Sequence, residues 1–205
     1  MRKRRHAPLM LAAAVLLVPF VGLRSCSRNH VTTSRPGRSS SYKEGSPMSF
    51  ASASFALSST AVSNRVVIAQ RYTCDGADIS PKLDWEGVPA GTQSLALIAD
   101  DPDAPMGTWT HWIIWNIPAE ASALAVGLPK VELLDIGARQ GTNDFKRVGY
   151  GGPCPPPGKP HRYFFKLYAL DARLDLKAGA RRNELELAMK RHVLSQTELI
   201  GTYQR

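Results

Sequence analysis

The sequence predicts a mostly β domain with a single late helix. Gly-, Pro- and Asp-rich stretches such as "DGADISP" and "EGVPAGTQ" predict turns between extended segments. Many strands followed by one helix favour a sandwich or a barrel with helical additions. The strongest strand candidates are apolar or rich in aromatic and β-branched residues: "SLALIAD" (94–100), "HWIIWNI" (111–117) and "RYFFKLYAL" (162–170).

The remaining extended segments and loops follow in order along the chain. "FALSST" (55–60) begins the domain, and "RVVIAQRYT" (65–73) is the next β-rich segment. The nearly continuous apolar run at 94–100 is typical of a strand that is covered on both faces. Residues 119–147 mix glycine, polar residues and scattered leucines, so we expect long connecting loops there.

A C-terminal helix is predicted over the segment "NELELAMKRHVLSQTELI". Leu185, Met189 and Val193 recur every four residues and would form one apolar face. Asn183 and Glu186 stand where the N-cap and the acid of a capping box are expected. The whole segment is therefore expected to be helical.

The basic charge of the chain is concentrated near its start. The 205 residues carry a net charge of +9, of which residues 1–48 contribute +8 and residues 49–205 contribute +1. A domain that binds nucleic acid needs a cationic face of its own. The nearly neutral domain therefore argues against that function, and its length is sufficient for one full hydrophobic core.

Residues 1–26 have the pattern of a signal peptide or a membrane anchor, because a basic start precedes a short apolar stretch that contains prolines. Leu23-Arg24-Ser25-Cys26 resembles a lipoprotein cleavage box, which makes Cys26 a candidate lipidation site, although Arg24 departs from the pattern. Residues 27–48 are rich in Ser, Arg, Gly and Pro and predict a disordered linker. We expect an exported protein, periplasmic or membrane-anchored, facing the periplasm or the cell exterior.

Two cysteines, Cys74 and Cys154, belong to the domain. In an oxidising compartment they can form a disulfide if their Cα atoms lie within about 7 Å of each other. The alternative is a pair of buried free thiols. Neither belongs to a C-x-x-C or C-x-x-H pair, so no zinc site is expected.

Chemically unusual residues occur together in three segments. Strand alternation would place His161 and Tyr163 on one face of the third segment and Arg162 on the other. Each segment also has a purely structural explanation, as an Asx-Pro turn, a stiff loop or core side chains. The three segments are "DPDAPMGTWTH" (101–111), "YGGPCPPP" (150–157) and "HRY" (161–163).

These segments resemble the phosphatidylethanolamine-binding protein family, specifically its bacterial branch of Raf kinase inhibitor-like proteins. The resemblance extends from about Phe55 to Arg205. It implies that residues 49–205 form a two-sheet, β-sandwich-like fold with a C-terminal helix, long connecting loops and a small cavity that binds anions. It rests on stretches that match in order: "YTCDGADISPKLDW", "DPDAP", "THWIIWNIP", "QGTNDF", "GYGGPCPPPGKPHRYFFKLYALD" and "HVLSQTELIGTYQR".

The resemblance also implies a set of ligand-binding residues. Histidine, tyrosine and backbone N–H groups can donate to phosphate oxygens. The aspartates would repel phosphate, so we expect them to orient a histidine or to hold a cationic, ethanolamine-like group. Eukaryotic members have a longer segment than residues 106–110 before the histidine, which argues against transferring their lipid specificity to this chain. The implied residues are Asp101, Asp103, His111, Tyr150, Gly152, Pro153, His161 and Tyr163.

The sequence therefore predicts a non-enzymatic protein that binds a small anionic or phosphorylated ligand, such as phosphate or a phospholipid head group. No cofactor or metal ion is expected, because H-E-x-x-H is absent and Trp112 stands where an EF-hand needs glutamate. The alternative is an inhibitor or interaction module for an envelope protease or another envelope protein, since family members act by binding kinases and proteases. A hydrolase is disfavoured, because no nucleophile motif is present.

Overall fold

The computed structural model describes residues 54–63 and 65–205. The predicted signal peptide or anchor (1–26), the linker (27–48) and the candidate lipidation site at Cys26 lie outside the described residues. Within the described ranges, no helix combines the length and the apolar character that crossing a membrane would require.

The described chain forms two β-sheets and one α-helix, which confirms the predicted fold class. One sheet has three strands in the order β1-β3-β6, and the other has six in the order β2-β9-β8-β4-β5-β7. All neighbours are antiparallel except β2 and β9. The elements are β1 (Ala56–Ser58), β2 (Val66–Val67), β3 (Leu83–Glu86), β4 (Ser94–Asp101), β5 (Trp109–Pro118), β6 (Ala123–Leu124), β7 (Arg139–Gln140), β8 (His161–Leu170), α1 (Arg182–Met189) and β9 (Val193–Tyr203).

Strand β4 lies in the centre of the six-stranded sheet and is buried along its whole length. Leu95 and Leu97 pack into the core that joins the two sheets, whereas Ala96 and Ile98 pack into a second core that includes Leu185 of α1. Both faces of β4 are therefore covered, as its continuous apolar sequence predicts. This arrangement also fixes which side chains at the end of the strand point to which face.

The predicted C-terminal helix is only partly correct. Helix α1 ends at Met189, and the second half of the predicted segment is strand β9, which pairs with β8 along its length. Val193 is 43% exposed in that strand, so it does not extend the buried apolar face that Leu185 and Met189 form. Long-range pairing with β8 outweighs the local periodicity, because secondary-structure propensity is a weak constraint.

The start of α1 also differs from the prediction. Arg181 is the N-cap, and its backbone N–H donates to the Glu184 carboxylate at 2.9 Å. Asn183 and Glu186 lie inside the helix.

The β-rich segment at 65–73 is extended only at β2, and Gln70–Tyr72 form a 3-10 turn. The expected long connections at 119–147 contain only two strands of two residues each.

Candidate functional site

A cavity of about 200 Å³ lies where the end of β4 meets the starts of β5 and β8. One part of its wall carries two histidines and a carboxylate, and the rest is apolar. Among the described residues, no lysine or arginine lines it. The lining residues are Asp101, Ala104, Pro105, Met106, Trp109, His111, Phe145, Cys154, Pro155, Pro156 and His161.

His111 reaches the cavity through an irregularity in β5. Ala99 of β4 pairs with Trp112 and Asp100 pairs with Thr110, so His111 is an extra residue opposite this point of β4. Such a β-bulge locally reverses the alternation of side chains and can aim a residue at a binding site. The bulge places the His111 ring beside Tyr163, on the face to which Trp112 also points.

The His111 ring is held firmly in place. Its Nδ1 lies 2.7 Å from the carbonyl oxygen of Gly151, and because a carbonyl can only accept, Nδ1 carries the proton. The rings of Phe145 and Tyr163 contact it edge-on, with centroid distances of 5.3 and 5.2 Å. Burial lowers the pKa of His111 from its usual value of 6.5, although hydrogen bonding to Gly151 and the charge of Asp101 oppose this effect.

His161 is oriented by a buried carboxylate. As the first residue of β8 it faces inward together with Tyr163, while Arg162 faces solvent, as strand alternation predicts. Its Nδ1 lies 2.7 Å from Oδ2 of Asp101, whose side chain is 4% exposed. The aspartate fixes the ring and leaves Nε2 as the nitrogen available to a ligand.

Asp103, by contrast, points away from the cavity. Its carboxylate accepts two hydrogen bonds from the Arg162 guanidinium, at 2.7 and 2.8 Å, and one from the backbone N–H of Arg162 at 2.9 Å. These bonds lower its pKa to about 2. The backbone N–H of Asp103 donates to Oδ1 of Asp101, so Asp103 fixes the turn that borders the cavity and orients neither histidine.

Asp100 lies on the opposite face of the sheet from Asp101. Its fully buried carboxylate forms ion pairs with Nζ of Lys166 at 3.0 Å and with Nη1 of Arg182 at 2.9 Å. Two adjacent carboxylates are thus separated by strand alternation. One is paired beside the helix, and the other lines the cavity.

The glycine loop is fixed by contacts behind the cavity. The Tyr150 hydroxyl donates to the carbonyl of Tyr72 at 2.8 Å, and burial raises its pKa. The N–H of Gly152 donates to Asp78 at 2.6 Å, so it is not available to a ligand. Tyr150, Gly152 and Pro153 are buried and do not line the cavity.

Cys154 in the same loop is joined to Cys74 by a disulfide, with a Cα–Cα distance of 5.4 Å. Of the two arrangements that the sequence allows, the structure has the bridge, and Cys154 forms part of the cavity wall.

Tyr163 is buried behind the cavity and does not line it. Its hydroxyl has no hydrogen-bond partner within the described residues. Burial and the charge of Asp101 raise its pKa.

The described residues contain no group of three or more His, Cys, Asp or Glu side chains arranged to hold a metal ion.

The family model for phosphatidylethanolamine-binding protein matches residues 58–204. The chain belongs to the phosphatidylethanolamine-binding protein family. It is 52% identical over 149 residues to a UPF0098 protein of Methanothermobacter thermautotrophicus, covering 73% of this chain and 98% of that protein. A UPF0098 protein of Aquifex aeolicus is 54% identical over 140 residues, covering 67% of this chain and 81% of that protein.

Solved structures of other members of the family have the same fold. YbcL of Escherichia coli, described as a new member of the mammalian family, gives a TM-score of 0.70 at 34% identity over 75% of this chain and 99% of its own. A homologue from Chlamydia trachomatis gives 0.68 at 39% identity over 74% and 98%.

The apolar part of the cavity is the feature of this family member that sequence reasoning missed. Trp109 and Phe145 lie against each other with ring centroids 5.4 Å apart, and Met106, 92% exposed, stands at the mouth. The indole N–H of Trp109 is buried without a hydrogen-bond partner among the described residues. The sequence signal that could have indicated this apolar wall is the position of Trp109, two residues before His111 in the same strand.

Proposed function

We propose that this phosphatidylethanolamine-binding protein family member is a non-enzymatic protein that binds a small anionic or phosphorylated ligand in the cavity beside His111 and His161. The observation that carries the proposal is the pairing of these two rings. Each has its Nδ1 engaged by the protein, so each has Nε2 left for one shared guest.

The buried carboxylate in this site is compatible with an anionic ligand. Asp101 is hydrogen-bonded to His161, so a proton on the Nε2 of that ring creates an imidazolium whose charge Asp101 balances. The indole N–H of Trp109 is a further, neutral donor in the wall. Together these groups can contact several oxygens of one phosphoryl group.

The apolar wall supports a ligand that carries carbon next to the anionic group. Met106, Phe145 and Pro156 offer no hydrogen bonds, and a bare ion beside them would lose hydration without compensation. A phosphate monoester can place its oxygens against the histidines and its organic part against these residues. This argument favours an organic phosphate over inorganic phosphate as the tighter ligand.

Binding should require a proton. A neutral imidazole with its hydrogen on Nδ1 has a lone pair on Nε2, which repels an oxygen that also has only lone pairs. Either a ring must become protonated or the ligand must bring a P–OH group. The titratable groups that face His111 are Asp101, His161 and Tyr163, with Asp100 on the far side of the sheet.

The proposal can be tested by titrating the full chain with inorganic phosphate and with phosphoethanolamine by calorimetry. His161→Asn keeps an N–H for Asp101 but removes Nε2 from the cavity, and it should weaken binding about tenfold or more. His192→Asn is the matched control, because His192 also pairs with a carboxylate, Asp171, but is exposed. Equal affinity in the His161→Asn variant and the wild type would contradict the proposal, as would no binding of either probe.

We also propose that the protein has no hydrolytic turnover and that it is exported. Turnover of a panel of esters and phosphoesters that disappears in His161→Asn would overturn the first part. The disulfide supports export, because such bonds persist in oxidising compartments. Mass spectrometry of the mature N-terminus tests export, cleavage of the leader and lipidation of Cys26.

A further inference from the structure

Residues 72–78 support the glycine loop from behind, as a platform on the side away from the cavity. The platform contacts the loop at four residues, which are Tyr150, Gly152, Pro153 and Cys154. Tyr72 accepts from the Tyr150 hydroxyl, the N–H of Cys74 donates to the carbonyl of Pro153 at 3.1 Å, and Cys74 is bonded to Cys154. The fourth contact, between Asp78 and Gly152, is the only one of these made by a charged side chain.

Asp78 is built into this position at a conformational cost. Its φ of +51° lies in the left-handed region, which residues other than glycine adopt rarely and Asp and Asn tolerate best. Its Oδ1 accepts from the N–H of Gly152 at 2.6 Å, and its Oδ2 accepts from Nζ of Lys130 at 2.7 Å. Nη2 of Arg147 lies 3.7 Å from the same oxygen. The carboxylate therefore links the glycine loop to two cations.

The peptide group that donates to Asp78 is also the one that orients His111. The carbonyl of Gly151 accepts from Nδ1 of His111 at 2.7 Å, and the N–H of Gly151 donates to the carbonyl of His111 at 2.9 Å. At Gly152 a Cβ would lie 2.4 Å from the carbonyl oxygen of Tyr72, so the loop can approach the platform only with glycine there. Asp78 and the His111 ring thus bind the two ends of one peptide group, the N–H of Gly152 and the carbonyl of Gly151.

We propose that Asp78 is a positioning residue for the ligand site, which fixes the Gly151 carbonyl and thereby keeps the His111 proton on Nδ1 and Nε2 free for the ligand. Asp78 does not touch the cavity and acts only through the loop. The consequence for binding rests on the proposed anion-binding function, whereas the consequence for the His111 ring does not. A charge-assisted hydrogen bond suits this role, because it is shorter and stronger than a neutral one.

The test compares three variants of the full chain without ligand, using nitrogen-15 NMR of the imidazole rings to read which nitrogen of His111 carries the proton. Asp78→Gly removes the carboxylate, and glycine adopts a φ of +51° without strain. Asp78→Asn keeps an oxygen that can accept from Gly152. Asp84→Asn is the control, because Asp84 pairs with Lys82 at the exposed surface of β3 and lies outside the platform.

In the wild type, Asp78→Asn and Asp84→Asn, we expect the His111 proton on Nδ1. In Asp78→Gly, we expect the form with the proton on Nε2 to appear, together with fewer protons taken up when inorganic phosphate binds, because that tautomer donates to phosphate without further protonation. A changed tautomer in Asp78→Gly with restoration in Asp78→Asn supports positioning, because a merely structural loss of stability would leave the ring's tautomer unchanged in the folded protein.

An unchanged tautomer in folded Asp78→Gly overturns the proposal, whatever the affinity for phosphate. A different outcome separates the two proposals. If the tautomer shifts as expected but neither the wild type nor any variant binds phosphate, the proposed anion-binding function fails and the positioning role of Asp78 stands. A second measurement does not depend on the variant's folding: the amide hydrogen of Gly152 in the wild type should exchange slowly with solvent. Exchange at the rate of an unprotected amide would also overturn the proposal.

Discussion

Sulfate binding should depend steeply on pH, because sulfate accepts hydrogen bonds but donates none near neutral pH. In the ligand-free protein the N–H of His111 is engaged by Gly151 and that of His161 by Asp101. Sulfate therefore meets lone pairs on both Nε2 atoms unless a ring takes up a proton. Burial lowers the pKa of His111 from 6.5, so near neutral pH this ring has no proton on Nε2 in the ligand-free protein, and one of the two rings must take up a proton when sulfate binds.

The size of the effect follows from linkage. If one proton is taken up per sulfate, the affinity rises about tenfold for each unit by which the pH falls, or about 1.4 kcal/mol. Sulfate affinity therefore increases as the pH falls, because the complex holds one more proton than the free protein. The increase should persist through neutral pH and level off only below the pKa of ligand-free His111, which lies under 6.5.

Isothermal calorimetry with sulfate, from pH 5.5 to 8 in two buffers of different ionisation enthalpy, gives both the affinity and the number of protons taken up. His111→Gln supplies an amide donor that does not titrate, so the pH dependence should flatten. His192→Gln changes an exposed histidine and should leave the profile unchanged. A sulfate affinity that is constant across this range, or binding with no proton uptake, would refute the reasoning.

Two predictions concern stability. Replacing both Cys74 and Cys154 by serine removes a link across 80 residues and should lower the free energy of unfolding by up to about 4.5 kcal/mol in the chain-entropy view, measured by urea denaturation; an unchanged midpoint would contradict this. Asp100→Asn leaves Lys166 and Arg182 without their buried anion and should cost about 3 kcal/mol while sulfate affinity stays the same. Weaker sulfate binding in a stable Asp100→Asn protein would contradict the second prediction, because it would show that Asp100 influences the cavity on the opposite face of the sheet.

Strand alternation made part of the site predictable from sequence. His161 and Tyr163 share the inward face of β8, and Asp101 follows the buried residues of β4 onto the same side. The same rule fails at His111. Counting by twos from Ile113, which packs on the helix side, would turn His111 away from the cavity. The bulge turns His111 back toward the cavity, and no pattern in the local sequence indicates that a bulge forms there.

Other differences arise from partners that are distant in sequence. Asp103 is held by Arg162, 59 residues later, and Gly152 is held by Asp78, 74 residues earlier. The apolar repeat that predicts a helix through Val193 stops at Met189, because β8 offers a pairing edge to the following residues. Each outcome depends on which long-range contact forms, and residue patterns do not encode that directly.

Export, lipidation of Cys26 and an envelope protein partner stay predictions. They depend on the leader and on other molecules, and the folded domain bears on them only through its disulfide.

The bulge in β5 means that His111 is surplus to the pairing of β4 and β5. A one-codon deletion at this point would remove this bulge together with the ring, while the second irregularity of the β4–β5 ladder, between Leu95 and Leu97, would remain. Ligand binding and strand pairing thus depend on different positions of the same strand, so a relative of this chain that lacks His111 would lose the ligand and keep the fold.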